Sequence, residues 1–306
     1  MRILVTGITG LVGQQIRKIC KAMEVEVHYL STRADQLEDK VGYQGFYWNP
    51  AEGQIDHRCL KGVEAIIHLA GANVAKPWTK SYKQEIINSR VESTQLLIDT
   101  LKENQHSVQQ VVSASAIGIY GSSLTKLHQE DSDYLADDFL GQVVKKWEAS
   151  VDGFKSLHIP VCKLRIGMVL SRDGGALEKI VKPINNYIGA PIGSGNQWQS
   201  WIHIYDLASM FMFAVEADLD GVYNAVAPNP VTNKKMTQVI ADHLDKPLIA
   251  PNVPKFVLKM MLGEMADIIL ASQLVSPNKI KEEGFNFDFK DLKTALEEIY
   301  PDQLSG

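Results

Sequence analysis

Residues 2–13 read Arg2-Ile3-Leu4-Val5-Thr6-Gly7-Ile8-Thr9-Gly10-Leu11-Val12-Gly13. Arg2–Thr6 is a short β-rich run that ends in a glycine turn. From Gly10 to Glu24, Leu11, Ile16, Ile19, Cys20 and Met23 recur near helical spacing. Spaced glycines between a strand and a helix are the setting of a phosphate-binding turn. Gly7 permits the tight turn, Gly10 lets backbone approach a pyrophosphate, and Gly13 lets the helix pack close on the strand. The start of the helix adds free N–H groups and a partial positive charge. Thr9, Leu11 and Val12 join the three glycines as candidate binding residues. The plainer alternative is a glycine-rich turn without a ligand.

Outward from this turn, short apolar runs alternate with longer amphipathic segments. Val25–Leu30, Gly45–Trp48, Ala65–Ala70, Gln110–Ser113 and Val161–Ile166 read as further strands, and Ser81–Asn104 and Asp137–Leu157 as helices. Strands alternating with helices imply βαβ units and a parallel sheet. The expected fold is α/β, a doubly wound parallel sheet of Rossmann type with a smaller, discontinuous C-terminal lobe. Residues 1–166 would form the nucleotide-binding domain, completed by parts of 200–225. Residues 167–306, where glycine and proline cluster in Gly189–Gly195, would form the smaller lobe.

Composition narrows the function classes. The 306 residues are 45% apolar and 22% charged, as in ordinary globular chains, with a net charge of −5. A pI near 5.9 and the lack of a basic stripe argue against a nucleic-acid partner. No apolar run approaches the roughly 18 residues of a membrane span. The first residues lack the pattern of a signal peptide. Cys20, Cys59 and Cys162 are far apart and form no C-x-x-C pair, so neither a disulfide framework nor a metal site is expected. Reduced thiols in the cytoplasm are the expectation.

The end of the second strand bears on the choice of dinucleotide. NAD sites place a carboxylate about 20 residues beyond the glycines, on the ribose 2′-hydroxyl. Here the chain reads Tyr29-Leu30-Ser31-Thr32-Arg33, with no carboxylate before Asp35. A guanidinium suits a 2′-phosphate, and the hydroxyl of Ser31 can add a hydrogen bond. NADP(H) is therefore favoured over NAD(H). The alternative for Arg33 is a solvated surface cation.

The spacing Gly-x-x-Gly-x-x-Gly, opened by Thr6-Gly7, resembles the extended short-chain dehydrogenase/reductases. Trp48-Asn49-Pro50, Leu69-Ala70-Gly71-Ala72, Ser89-Arg90, Ser113-Ala114-Ser115, Trp147-Glu148, Trp201-Ile202-His203 and Gly263-Glu264-Met265 extend the likeness along nearly the whole chain. They resemble an atypical branch, the sugar-nucleotide epimerase-like "epimerase family" proteins. That resemblance implies bound NADP(H) and a smaller lobe over the cofactor, without implying a substrate. It places Leu69, Ala70 and Gly71 under the bridge between adenosine and nicotinamide. It lines the cofactor cleft with Glu85, Arg90 and Ser113, and sets Arg165 and Val169 near the nicotinamide end. A homodimer would follow the wider family.

The likeness has departures. Members of the wider family use Tyr-x-x-x-Lys, in which the Tyr exchanges a proton with substrate and the Lys lowers its pKa. None of the ten tyrosines here has a lysine four residues later. Phe139 or Leu140, and Val143 or Val144, stand at those positions, and none can titrate. Ser115 falls where the family polarises a substrate carbonyl, or else satisfies backbone at a strand end. Tyr120 is the nearest phenol, a substitute acid or a packing residue. Arg90 stands where an Asn is common, and Glu85 and Arg90 could instead be an exposed pair on a helix. Two function classes stay open. One is an NADP(H)-dependent oxidoreductase or epimerase-like enzyme acting on a small carbonyl or sugar-like substrate. The other is a non-catalytic NADP(H) binder serving as a sensor or assembly factor.

Overall fold

Ile3, Leu4 and Val5 are fully buried, as a strand covered on both faces requires. In the computed structural model, which describes residues 1–301, they belong to β1 (Arg2–Thr6). α1 (Leu11–Ala22) and β2 (Glu26–Ser31) follow, then β3 (Asp39–Lys40), β4 (Tyr43–Asn49) and β5 (Gln54–Ile55). Next come β6 (Ala65–His68), the long α2 (Lys80–Glu103), β7 (Gln110–Ala116) and β8 (Leu127–His128). α3 (Phe139–Val151), β9 (Val161–Ile166), β10 (Met168–Leu170) and α4 (Ala176–Asn185) continue the chain. β11 (Trp198–Gln199) and β12 (Trp201–His203) precede α5 (Ile204–Glu216), β13 (Gly221–Ala225), β14 (Val231–Thr232) and α6 (Asn233–His243). The last elements are α7 (Lys255–Leu262), α8 (Ala266–Leu270), β15 (Leu274–Val275), α9 (Asn278–Glu282) and α10 (Leu292–Ile299). Residues 302–306, the end of the expected smaller lobe, lie outside the described residues.

The large sheet has the order β13-β9-β7-β6-β1-β2-β4-β3. β1 pairs in parallel with both β2 and β6, and β6 pairs in parallel with β7. The chain builds outward from β1 through β2 to β4, then returns to the other side of β1 as β6. That reversal is the switch point of a doubly wound sheet, where ligands bind beyond the carboxyl ends of the strands. Thr6 lies opposite His68 there, at the last registered pair. The fold is the expected Rossmann type.

Two compact units divide the chain. The first comprises Met1–Ile119, Asp138–Arg165 and Ala208–Tyr223 and holds the large sheet. α1 turns Gly13, Ile16 and Cys20 inward, while Leu11 and Ile19 of the expected apolar face are half-buried and Met23, just past its end, is exposed. The expected helix Asp137–Leu157 is α-helical only to Val151 and continues as a 3-10 turn, Asp152–Leu157. That turn stops at His158, which takes a left-handed conformation, φ 58°.

The second unit comprises Tyr120–Asp137, Ile166–Leu207 and the chain from Asn224 on. Its core joins Leu170, Leu177, Trp201, Met236, Ile240 and Leu296. Three two-stranded pairs, β10-β12, β11-β14 and β15-β8, complete it. Among the described residues, no helix is long and apolar enough to cross a membrane.

Candidate cofactor site

The glycine turn between β1 and α1 is shaped by backbone contacts that side chains would block. Gly7 has φ +69°, and a Cβ on it would lie 3.1 Å from the backbone of Leu69. The N–H of Gly10 donates to the carbonyl of Gly7 at 3.0 Å. A Cβ on Gly13 would come within 2.4 Å of that same carbonyl oxygen. Gly10 is the N-cap of α1 and supplies no side-chain cap. The first amides of α1, including those of Leu11, Val12 and Gly13, therefore lack both intrahelical and capping partners. An uncapped helix start behind a glycine cradle is suited to a pyrophosphate.

Thr9 is exposed and borders a cavity of about 300 Å³, also lined by Gln14, Arg17, Tyr29, Asp35 and Tyr43. Ser31 ends β2, and its hydroxyl accepts from the N–H of Arg33 at 3.1 Å. That bond holds the turn from which the Arg33 side chain extends. Arg33 is exposed and its guanidinium has no partner among the described residues. Arg17, by contrast, is paired with Glu38 at 3.2 Å and lies over the ring of Tyr43.

Across the switch point, the N–H groups of Leu69 and Ala70 both donate to the hydroxyl of Thr6, each at 3.0 Å. Gly71 lies against Arg90: a Cβ there would sit 2.9 Å from the guanidinium carbon. Nη1 of Arg90 donates to the carbonyls of Ile86 and Ala72 at 2.9 and 3.2 Å. Its Nε is buried with no partner, and no carboxylate neutralises it among the described residues. Burial pulls this guanidinium down to about 10. A desolvated cation without a counter-charge is costly unless something anionic meets it. Glu85 is exposed and makes no pair with Arg90. The structure thus brings Gly7, Leu69, Gly71 and Arg90 together and leaves Glu85 on the helix surface.

At the ends of β7 and β9 the polar groups are engaged with one another. Ser113 is buried and donates to the carbonyl of Ala114 at 3.0 Å. Ser115 donates its proton to Oε1 of Glu148 at 2.6 Å. Arg165 grips the same carboxylate with Nε at 2.8 Å and Nη2 at 2.9 Å. Burial works against ionisation of Glu148, but the hydrogen bonds and charge of Arg165 outweigh it. Ser115 and Lys163 add to that effect, and the carboxyl is held below its ordinary range. Glu148 was legible only as part of a motif. Its place on the buried face of α3, beside Trp147, was the available signal.

Tyr120 and Val169 belong to the second unit. Tyr120 is fully buried, donates to Oδ1 of Asn224 at 2.7 Å and stacks on His128. Val169 lies in β10, paired with Ile202 of β12. On α3, Val143 and Val144 are buried, and Phe139 packs edge-on against Trp78. No titratable group stands at Phe139, Val143 or Val144. The cradle that a Cβ on Gly13 would fill and the orphaned Nε of Arg90 both fit a bound dinucleotide.

Comparison with known proteins adds family context. A model of the NAD dependent epimerase/dehydratase family matches residues 3–145, and a domain of unknown function (DUF1731) matches residues 253–299. An epimerase family protein of Staphylococcus aureus strain MRSA252 is 36% identical over 297 residues, 97% of this chain and 98% of its own. The crystal structure of the human epimerase family protein SDR39U1 with NADPH superposes with a TM-score of 0.85. It is 31% identical, covering 99% of this chain and 100% of the other. A nucleoside-diphosphate sugar epimerase from Corynebacterium glutamicum gives 0.77 at 29% identity, covering 98% of this chain and 58% of that one.

Proposed function

This chain belongs to the epimerase family, with an NAD(P)-binding fold of the extended short-chain dehydrogenase/reductase kind, and from that premise we propose that it is an NADP(H)-dependent oxidoreductase or epimerase-like enzyme. The observation that carries the cofactor choice is the exposed guanidinium of Arg33 just past β2, which has no partner among the described residues. No carboxylate competes with it between Leu30 and Ala34. The relative crystallised with NADPH supports the same choice.

In this reading the amides opening α1 hold the pyrophosphate, and Arg33 with Ser31 holds the 2′-phosphate. Arg90 supplies positive charge beside Gly71. The backbone of Leu69–Gly71 and the side chain of Ser113 border the same site, with Arg165 toward the nicotinamide. The bound dinucleotide would supply hydride transfer. The substrate is a small carbonyl or sugar-like molecule. The hydroxyl of Ser115 is engaged as a donor to Glu148, and that of Tyr120 as a donor to Asn224. Water or the substrate itself is therefore the proton source. A cytoplasmic homodimer belongs to the same proposal.

The two engaged hydroxyls also favour a second reading, a non-catalytic NADP(H) sensor or assembly factor. Fluorescence titration with NADPH and with NADH tests the first step. A preference for NADPH of about tenfold, some 1.4 kcal/mol, is the expected result. Equal affinities would remove Arg33 as the clamp. Transfer of deuteride from labelled NADPH to carbonyl compounds then separates enzyme from binder.

A further inference from the structure

Thr6 closes β1 opposite His68, and its hydroxyl is placed by what surrounds it. The oxygen already accepts from the N–H groups of Leu69 and Ala70. A hydroxyl has two acceptor sites and one proton. With both sites taken, the proton of Thr6 goes to Nδ1 of His68, 2.8 Å away. On the far side of the ring, Nε2 lies 3.0 Å from Oγ1 of Thr94 and 3.5 Å from Oγ of Ser93. Both hydroxyls spend their own protons on the carbonyl of Arg90, at 2.7 and 3.1 Å. They meet the ring as acceptors, so Nε2 carries the proton.

Every proton along this line is thereby assigned. The line runs one way, from the amides of Leu69 and Ala70 through Thr6, His68 and Thr94 to Arg90. It joins β1, β6 and α2 in the first unit. A second ring proton, on Nδ1, would confront the proton of Thr6 and break the line. Burial acts in the same direction and pushes His68 down to about 4, with the charge of Arg90 adding to it. The ring is fully buried.

We propose that His68 is a positioning residue: its neutral Nε2–H form ties the Leu69–Gly71 turn to Arg90 and so holds both in the geometry that receives the dinucleotide. The proposal rests on the NADP(H) reading given above. Gly7 against Leu69, and Gly71 against Arg90, show that the two ends of the ladder border the glycine turn. His68 reaches the cofactor only through these neighbours.

Two measurements test it. Long-range proton–nitrogen NMR of the full chain without cofactor reports the tautomer, with the His68 signal assigned by its loss in His68→Gln. The Nε2–H form at pH 7 is expected; the Nδ1–H form or a cationic ring overturns the proposal. NADPH titration of Thr94→Val and Thr94→Ser reads the consequence. Thr94→Val should weaken NADPH by about tenfold, as loss of one buried hydrogen-bond partner implies. The Nε2–H tautomer should persist, because the proton of Thr6 still meets Nδ1. Thr94→Ser, which keeps the hydroxyl, should restore the affinity. Wild-type NADPH affinity in Thr94→Val overturns positioning, even where its melting temperature falls. Should Thr94→Val not fold, Thr6→Ser and Thr6→Val make the same comparison at the other nitrogen. Failure of the wild type to bind either dinucleotide would remove the NADP(H) reading and this proposal with it. Tight wild-type binding that Thr94→Val leaves unchanged would remove this proposal alone.

Discussion

Glu148 on α3 and Arg165 at the end of β9 form a two-point ion pair, 2.8 and 2.9 Å long, with both side chains about nine-tenths buried. Ser115 adds a third hydrogen bond to the same carboxylate. Removing one partner strands the other charge inside the protein. Arg165→Met is expected to destabilise the chain by about 3–5 kcal/mol, because Glu148 is left uncompensated. Urea denaturation measures this. A loss below about 1 kcal/mol would mean that water reaches the pair.

In the proposed function Arg33 sets the cofactor preference, and its side chain is exposed. Arg33→Ala should raise the dissociation constant for NADPH by about tenfold or more, as loss of a charge-assisted phosphate contact implies. NADH affinity should stay within about twofold. Parallel titrations decide it, and an equal loss for both dinucleotides would place Arg33 away from the 2′-phosphate.

Gly13 tests the cradle. Alanine there would put a Cβ 2.4 Å from the carbonyl oxygen of Gly7 and 2.5 Å from Cα of Ile8. Backbone must move to relieve that overlap, at a cost of about 1–3 kcal/mol. Gly13→Ala should lower the melting temperature and abolish measurable binding of both dinucleotides. Retained binding would show that the turn is not the phosphate site.

His68 sets a pH dependence whose sign follows from its lowered pKa. In the unfolded chain the ring takes up a proton below about pH 6.5, but in the folded chain only below about 4. Between these values the unfolded state binds more protons, so stability falls as pH falls from 6.5 to 4. The loss amounts to about 3 kcal/mol for a shift of this size, and it levels off below pH 4. His68→Gln should flatten this limb of the stability profile. A wild-type profile level from pH 6.5 to 4 would mean that His68 is not buried as a neutral ring.

The glycine turn and most strands were legible because their causes are local. Gly7, Gly10 and Gly13 are required by backbone geometry within one turn, and Ile3–Val5 by burial on both faces. Arg33 was legible for the same reason: its place follows from counting along β2. Glu148 stood in the sequence as a motif residue only, since its partner lies 17 residues away on another element. His68 read as one more residue of a buried strand. Its partner Thr6 is 62 residues distant, and their meeting depends on β6 lying beside β1 in one register.

Ser115 and Tyr120 mark the boundary between the two kinds of knowledge. From the sequence each was a hydroxyl able to serve a substrate or to satisfy its surroundings. Tertiary packing gave Ser115 the carboxylate of Glu148 and Tyr120 the amide of Asn224. The direction of a hydroxyl proton is set by the nearest strong acceptor, and acceptors are delivered by distant segments. Period and glycine spacing determined the fold class and marked the turn between β1 and α1. The proton assignments, the buried ion pair and the His68 ladder were decided only when folding brought those segments within 3 Å of one another.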